Sequence, residues 1–151
     1  MTYINISRFA VALTLTASGL LGGCSFSPVS KGVVSEQLAL CPSSPNCISS
    51  SNADSTHGFR ALRFEGDKAA AKRKLITVLG VMEGTQIDEQ EGDYVRVTFV
   101  TPFLKFKDDG EFLIKDKTIE VRSASRMGYS DLGKNRSRME DIRKAFEPCC
   151  D

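Results

Sequence analysis

Between residues 84 and 125 the chain reads as one strand after another, with no helical segment between them. Consecutive strands joined by short turns pair antiparallel, because a parallel pair needs a crossover of a dozen residues or more. This run confines the chain to an antiparallel sheet. Residues 94–101 are its clearest member: Val95, Val97 and Phe99 alternate with Tyr94, Arg96 and Thr98. That is the period-two pattern of a half-buried strand. A shorter strand, 84–90, precedes it across a Glu91-Gly92-Asp93 turn. Pro102 breaks the pattern and residues 103–107 resume it. Residues 111–115 and 118–125 form a hairpin about Asp116-Lys117. In this register Lys115 faces Thr118 and Glu111 faces Arg122. Phe112, Ile114, Ile119 and Val121 share one face; Glu111, Leu113, Glu120, Arg122, Ala124 and Arg126 share the other.

Two helix-like segments flank the run. Asp67 is an N-cap residue, and Ala71, Leu75, Val78 and Leu79 recur at helical spacing behind it. Residues 135–147 place Met139, Ile142, Ala145 and Phe146 on one face, with Asn135 as N-cap and Pro148 as the stop. The expected fold is α+β: an antiparallel sheet of about four to five strands with two helices packed on one face. A loop-rich N-terminal segment, rich in Ser, Pro, Asn and Gly, comes before it.

The N-terminus has another origin. Residues 9–21 carry no charge and follow Arg8, yet they are too few for a transmembrane span of about 20 residues. Leu21-Gly22-Gly23-Cys24 comes next and resembles a bacterial lipobox. At such a site the Cys24 thiol takes a diacylglyceryl group and the freed amine an acyl chain such as palmitate. Ser25, in place of an aspartate, favours the periplasmic face of the outer membrane. The expected organisation is a cleaved signal peptide (1–23), a flexible tether (24–34) and a single domain (35–151).

Charge then excludes one class of partner. Removing residues 1–23 takes away one Arg and no acid, so the remaining chain balances its 19 acidic side chains. A neutral chain has no basic excess with which to neutralise phosphates, so no nucleic-acid partner is expected. Membrane contact is expected through the lipid.

Cys41-Pro42-Ser43-Ser44-Pro45-Asn46-Cys47 sets two cysteines about a turn in an oxidising compartment, where a disulfide is the expected state. Closing so short a loop stabilises by about 2 kcal/mol in the chain-entropy view. His57 is the only histidine, and its spacing to the cysteines fits no common zinc site, so no metal or cofactor is expected. A Cys47–His57 nucleophile pair is the one enzymatic alternative. Cys149 and Cys150 follow Pro148 and leave their pairing open. No phosphate-binding glycine loop or nucleophile elbow is present in the sequence, and no catalytic residue is assigned.

Polar residues are dense in the hairpin and in the segment after it. Arg122 and Arg126 lie four apart on one strand face, and Arg136 falls in the first turn of the next helix. Three guanidinium groups near helix-start N–H donors can hold a carboxylate or phosphate. Asp108, Asp109, Glu111 and Asp131 can equally neutralise them within the chain, Glu111 directly across from Arg122. Arg126 faces Lys107 in this register, a like charge, and so calls for an anion from Asp131 or from a ligand.

At these residues the chain resembles the DUF1499 family of uncharacterised bacterial and plastid proteins. The resemblance is carried by the Cys41–Cys47 loop, Asp108-Asp109-Gly110-Glu111-Phe112, Arg122-Ser123-Ala124-Ser125-Arg126, Ser130-Asp131-Leu132-Gly133 and Asn135-Arg136. It implies no particular chemistry. The expectation for function is a lipid-anchored cell-envelope protein whose domain binds or assists without catalysis. The alternatives are a carrier of small anions using Arg122, Arg126 and Arg136, and a thiol enzyme using Cys47 and His57.

Overall fold

Glu111 does face Arg122, and Lys115 faces Thr118, in the computed structural model, which describes residues 27–147. The signal segment, Cys24, Cys149 and Cys150 lie outside the described residues. In chain order the elements are β1 (Val33–Val34), β2 (Gln37–Leu38), β3 (Cys47–Ser49), β4 (Leu62–Arg63), α1 (Lys68–Gly80), β5 (Thr85–Glu91), β6 (Tyr94–Val100), β7 (Lys107–Ile114), β8 (Thr118–Ser125) and α2 (Lys134–Phe146). The fold is α+β. The sheet runs β3-β8-β7-β6-β5, and β4 pairs with β8 beyond β3. Every strand pairing among the described residues is antiparallel, and a single parallel bridge joins Ser49 of β3 to Gly58.

The alternation along the strands sorts the two faces. Val95, Val97, Phe99, Phe112, Ile114, Ile119 and Val121 point to the helix side and form the core with Leu75, Leu79, Met139, Ile142 and Phe146. Burial of each such side chain contributes about 1.5–3 kcal/mol. Gly110 sits in this layer because nothing larger fits. A Cβ there would collide with the edge of the Phe99 ring and with the Val97 side chain. Asp67 caps α1 as its position suggests, its carboxylate accepting from the Ala70 N–H at 2.8 Å.

Three expectations are corrected. Residues 103–107 do not resume a strand: Pro102 opens a protruding loop, Lys105 takes a left-handed φ of 53°, and pairing restarts only at Lys107. Of the 24–34 tether, residues from Val29 onward are hydrogen-bonded to the sheet, and β1 and β2 form a small hairpin after them. Asn135 is not the N-cap of α2. Gly133 holds that position with a φ of 77°, and Asn135 is buried one step inside the helix. The 103–107 loop is closed by its own hydrogen bonds through Thr101, whereas tertiary hydrogen bonds hold the segment from Val29 onward and the Asn135 side chain.

Candidate functional site

The face of the sheet turned away from the helices is polar and buried at its centre. Glu111 and Asp109 are both 0% exposed and stand two residues apart on β7. Such burial requires each carboxylate to be paired and hydrogen-bonded. Arg122, directly opposite on β8, reaches Glu111 Oε2 through Nη1 at 2.6 Å. Tyr94 donates its hydroxyl to Glu111 Oε1 at 2.9 Å, and the backbone N–H groups of Lys31 and Gly32 donate to the same oxygen. Asp109 accepts from Arg126 at 2.6 Å and from the Val29 N–H at 2.5 Å. Arg126 also donates to Thr98 Oγ1, which donates onward to Asp88, itself beside Arg96. The charges therefore form a lattice over β5 to β8 rather than isolated pairs.

The N-terminal segment covers this lattice as a strap. It lies along β7, from Val29 at Asp109, through Gly32 at Glu111, to Leu38 packed on Tyr94 and Leu113. Its backbone supplies N–H donors to the two carboxylates, and its Val29 carbonyl accepts from Arg122 at 3.3 Å. Lys115 reaches back to the Glu36 carbonyl and ties the strap at the far end.

The structure gathers some of the sequence-predicted residues and separates others. Arg122, Arg126, Asp109 and Glu111 come together. Lys107 does lie across from Arg126, whose N–H bonds to its carbonyl, and the like charge is answered by Asp109 rather than Asp131. Asp131 instead accepts the N–H groups of Gly133 and Asn135 and starts α2. Arg136 is elsewhere: it donates to the carbonyls of Thr56 and Gly58 and lies over the Phe59 ring. The three guanidinium groups thus do not converge on one point.

Cys41 and Cys47 form the disulfide, with Cα atoms 5.7 Å apart. So joined, Cys47 has no thiol to deprotonate. His57 sits between two acceptors, Asp54 at 2.9 Å and the Ser44 carbonyl at 3.3 Å. The His57 backbone N–H, more than the ring, holds the Asp54 carboxyl below the usual carboxylate range. No group of three or more His, Cys, Asp or Glu side chains among the described residues is arranged to hold a metal.

A second network, on the helix side, went unread in the sequence. Asp108 accepts from Arg138 of α2 at 2.8 Å, and the Arg138 guanidinium lies 4.5 Å above the Phe99 ring. Ser123 donates to Asn135 Oδ1 at 2.5 Å, and Asn135 Nδ2 donates to the Asn46 carbonyl and Ser125 Oγ. The signal was the Asp108-Asp109 doublet, since adjacent strand residues must face opposite layers and need separate partners.

Tyr94 gives this site a measurable pH signature. Its burial, and next the Glu111 carboxylate beside it, push its pKa up. Above about pH 10 the unfolded chain has lost the phenol proton while the folded protein keeps it. The Tyr94 contribution is therefore complete below about pH 10 and is lost as pH rises further. The thermal midpoint of the native protein is expected to fall more steeply above pH ~10 than that of Tyr94→Phe. Equal slopes would place the phenol in solvent. Near neutrality the same substitution should cost only about 1 kcal/mol, because Glu111 keeps three other donors.

No curated protein and no solved structure matches the chain. Residues 37–146 match the family described as a protein of unknown function, DUF1499. That stretch opens at the first residue of β2 and closes at the last of α2. It takes in the disulfide, both polar networks and every ion pair of the sheet, and leaves the first part of the strap outside. With the match running through most of the chain, the protein belongs to the DUF1499 family.

Proposed function

We propose that the protein is held to a cell-envelope membrane by lipid on Cys24, and that its domain is a non-catalytic binding or accessory module. The observation that carries this reading is Leu21-Gly22-Gly23-Cys24 directly after the uncharged residues 9–21. Diacylglyceryl on the thiol with an acyl chain on the amine anchors stably, whereas one chain holds only marginally. The charge balance of the rest of the chain leaves the anchoring to the lipid. No helix among the described residues is long and apolar enough to cross a membrane. Ser25 favours the periplasmic face of the outer membrane. The non-catalytic part of the reading is supported by how the reactive groups are used. Arg122 and Arg126 serve Glu111 and Asp109, Cys47 is in a disulfide, and His57 clips its own loop.

Cells producing the full chain and fed an alkyne-tagged palmitate analogue should label the native protein in the membrane fraction and leave Cys24→Ala unlabelled. A native protein that takes no label, or a Cys24→Ala protein that is processed normally and stays membrane-bound, overturns the lipid anchor.

A further inference from the structure

Six of the large apolar side chains that the fold leaves outside lie on two loops at one end of the sheet, while Val33, Val34, Leu40 and Val81 are exposed elsewhere. The loop between β6 and β7 presents Phe103 at 95% exposure, with Leu104 and Phe106 beside it. The loop between β8 and α2 presents Leu132 at 93% exposure, with Tyr129 and Met127. Phe103, Leu104 and Leu132 line one cleft of about 560 Å³, so the two loops are neighbours. Single exposed apolar residues are ordinary, but a contiguous set marks an interaction surface. Leu132 also holds a left-handed φ of 53°. That conformation disfavours a branched side chain, and its exposure gains no burial inside the protein.

Three further observations say what covers this end. The exposed cations in or next to the two loops are Lys105, Lys107 at the start of β7 and Lys134 at the start of α2. The Asp131 carboxylate is turned onto backbone N–H groups, while Glu83, before β5, and Asp141, on α2, also line the cleft. Aromatic and aliphatic tips with lysines close to them in the chain match the headgroup layer of a phospholipid bilayer. Finally, the strap runs toward this end. Val29 is fixed at Asp109, two residues from the start of β7 where the Phe103 loop ends. Cys24 is five residues upstream of Val29. At about 3.3–3.6 Å per residue it cannot be more than roughly 18 Å away.

We propose that this end is a membrane-docking face: Phe103, Leu104 and Leu132 enter the interface of a phospholipid bilayer, and Lys105, Lys107 and Lys134 meet its anionic headgroups. The lipid-anchor reading supplies only the nearby tether; the loop chemistry stands without it. The strap then does more than cover Glu111 and Asp109. It sets the exit point of the chain beside the docking loops, so the anchor and the face act on one membrane and fix the domain's orientation.

The chain has no Trp, so Phe103→Trp introduces a single reporter at the tip, and Asp116→Trp places one in the β7–β8 turn at the opposite end. Each full-length protein is purified from membranes and reconstituted with vesicles of phosphatidylethanolamine and phosphatidylglycerol. The Phe103→Trp emission is expected to shift to the blue and to be quenched by lipids brominated in their acyl chains. Asp116→Trp is expected to remain water-like. A Phe103→Trp reporter that stays as open to an aqueous quencher as Asp116→Trp overturns the docking face. Lipid on Cys24 is read separately, from the mass of the N-terminal peptide. If that lipid is missing, the anchor reading fails, and the same emission measured with added vesicles still decides the docking face.

Discussion

Arg122→Ala is expected to lower stability by about 3–5 kcal/mol, the usual cost of removing one partner from a buried ion pair. Arg122 is 2% exposed and Glu111 0%, so the carboxylate left behind cannot turn to water. Tyr94 and the N–H groups of Lys31 and Gly32 still donate to it, but none of these carries positive charge. The Val29 carbonyl also loses its guanidinium donor. Against a total stability of about 5–15 kcal/mol for a domain of this kind, such a loss leaves a marginal protein. Urea titration should show a lower midpoint with an unchanged slope, and added phosphate should restore none of it. A loss within about 1 kcal/mol would mean that water reaches the pair, as at an exposed salt bridge. A phosphate-dependent rise in the native protein that Arg122→Ala abolishes would favour an anion carrier instead.

The ion pair was legible because a hairpin turn sets register, and register sets which residues face each other. Once Asp116-Lys117 was placed, Glu111 opposite Arg122 and the apolar layer of Phe112, Ile114, Ile119 and Val121 were determined with it. Their burial was not legible. Exposed and buried cross-strand pairs look alike in sequence, and here burial comes from a strap lying roughly eighty positions away along the chain. The strap has no periodicity of its own, because it binds through backbone N–H groups, which every residue except proline carries. The same limit applies to Arg136. A cation close in sequence to a cluster reads as part of it, but backbone carbonyls of Thr56 and Gly58 are acceptors that residue types do not announce.

Asn135 gives the sharpest test of the structure against the simpler reading of the sequence. An asparagine before an apolar helical stripe suggests an N-cap, and replacing a cap by alanine costs typically about 1 kcal/mol, while aspartate caps equally well. The structure gives Asn135 a different task. It is 1% exposed, and its side chain joins β8, the loop before β3 and α2 through Ser123, Ser125, Asn46 and Arg138. Asn135→Ala would leave the fully buried Ser123 hydroxyl without its acceptor and remove the Nδ2 donor from the Asn46 carbonyl, which keeps only the Ser125 N–H. One stranded buried hydroxyl costs about 1–3 kcal/mol, and the lost packing adds to it, so a drop above about 2 kcal/mol is expected. Asn135→Asp separates the two tasks more cleanly. It keeps an acceptor for Ser123 and Arg138, but turns a carboxylate oxygen toward the Asn46 carbonyl, where a donor stood. Protonation would restore that donor, so burial and the facing carbonyl should raise the new carboxyl's pKa in the folded state, against the opposing pull of an Arg138 guanidinium already paired with Asp108. Relative to the native protein, Asn135→Asp should therefore be destabilised at neutral pH and recover as pH falls through that raised value. Thermal midpoints of the two proteins across acidic and neutral pH decide the matter. A pH-independent Asn135→Asp protein as stable as the native one would return Asn135 to the role of a cap.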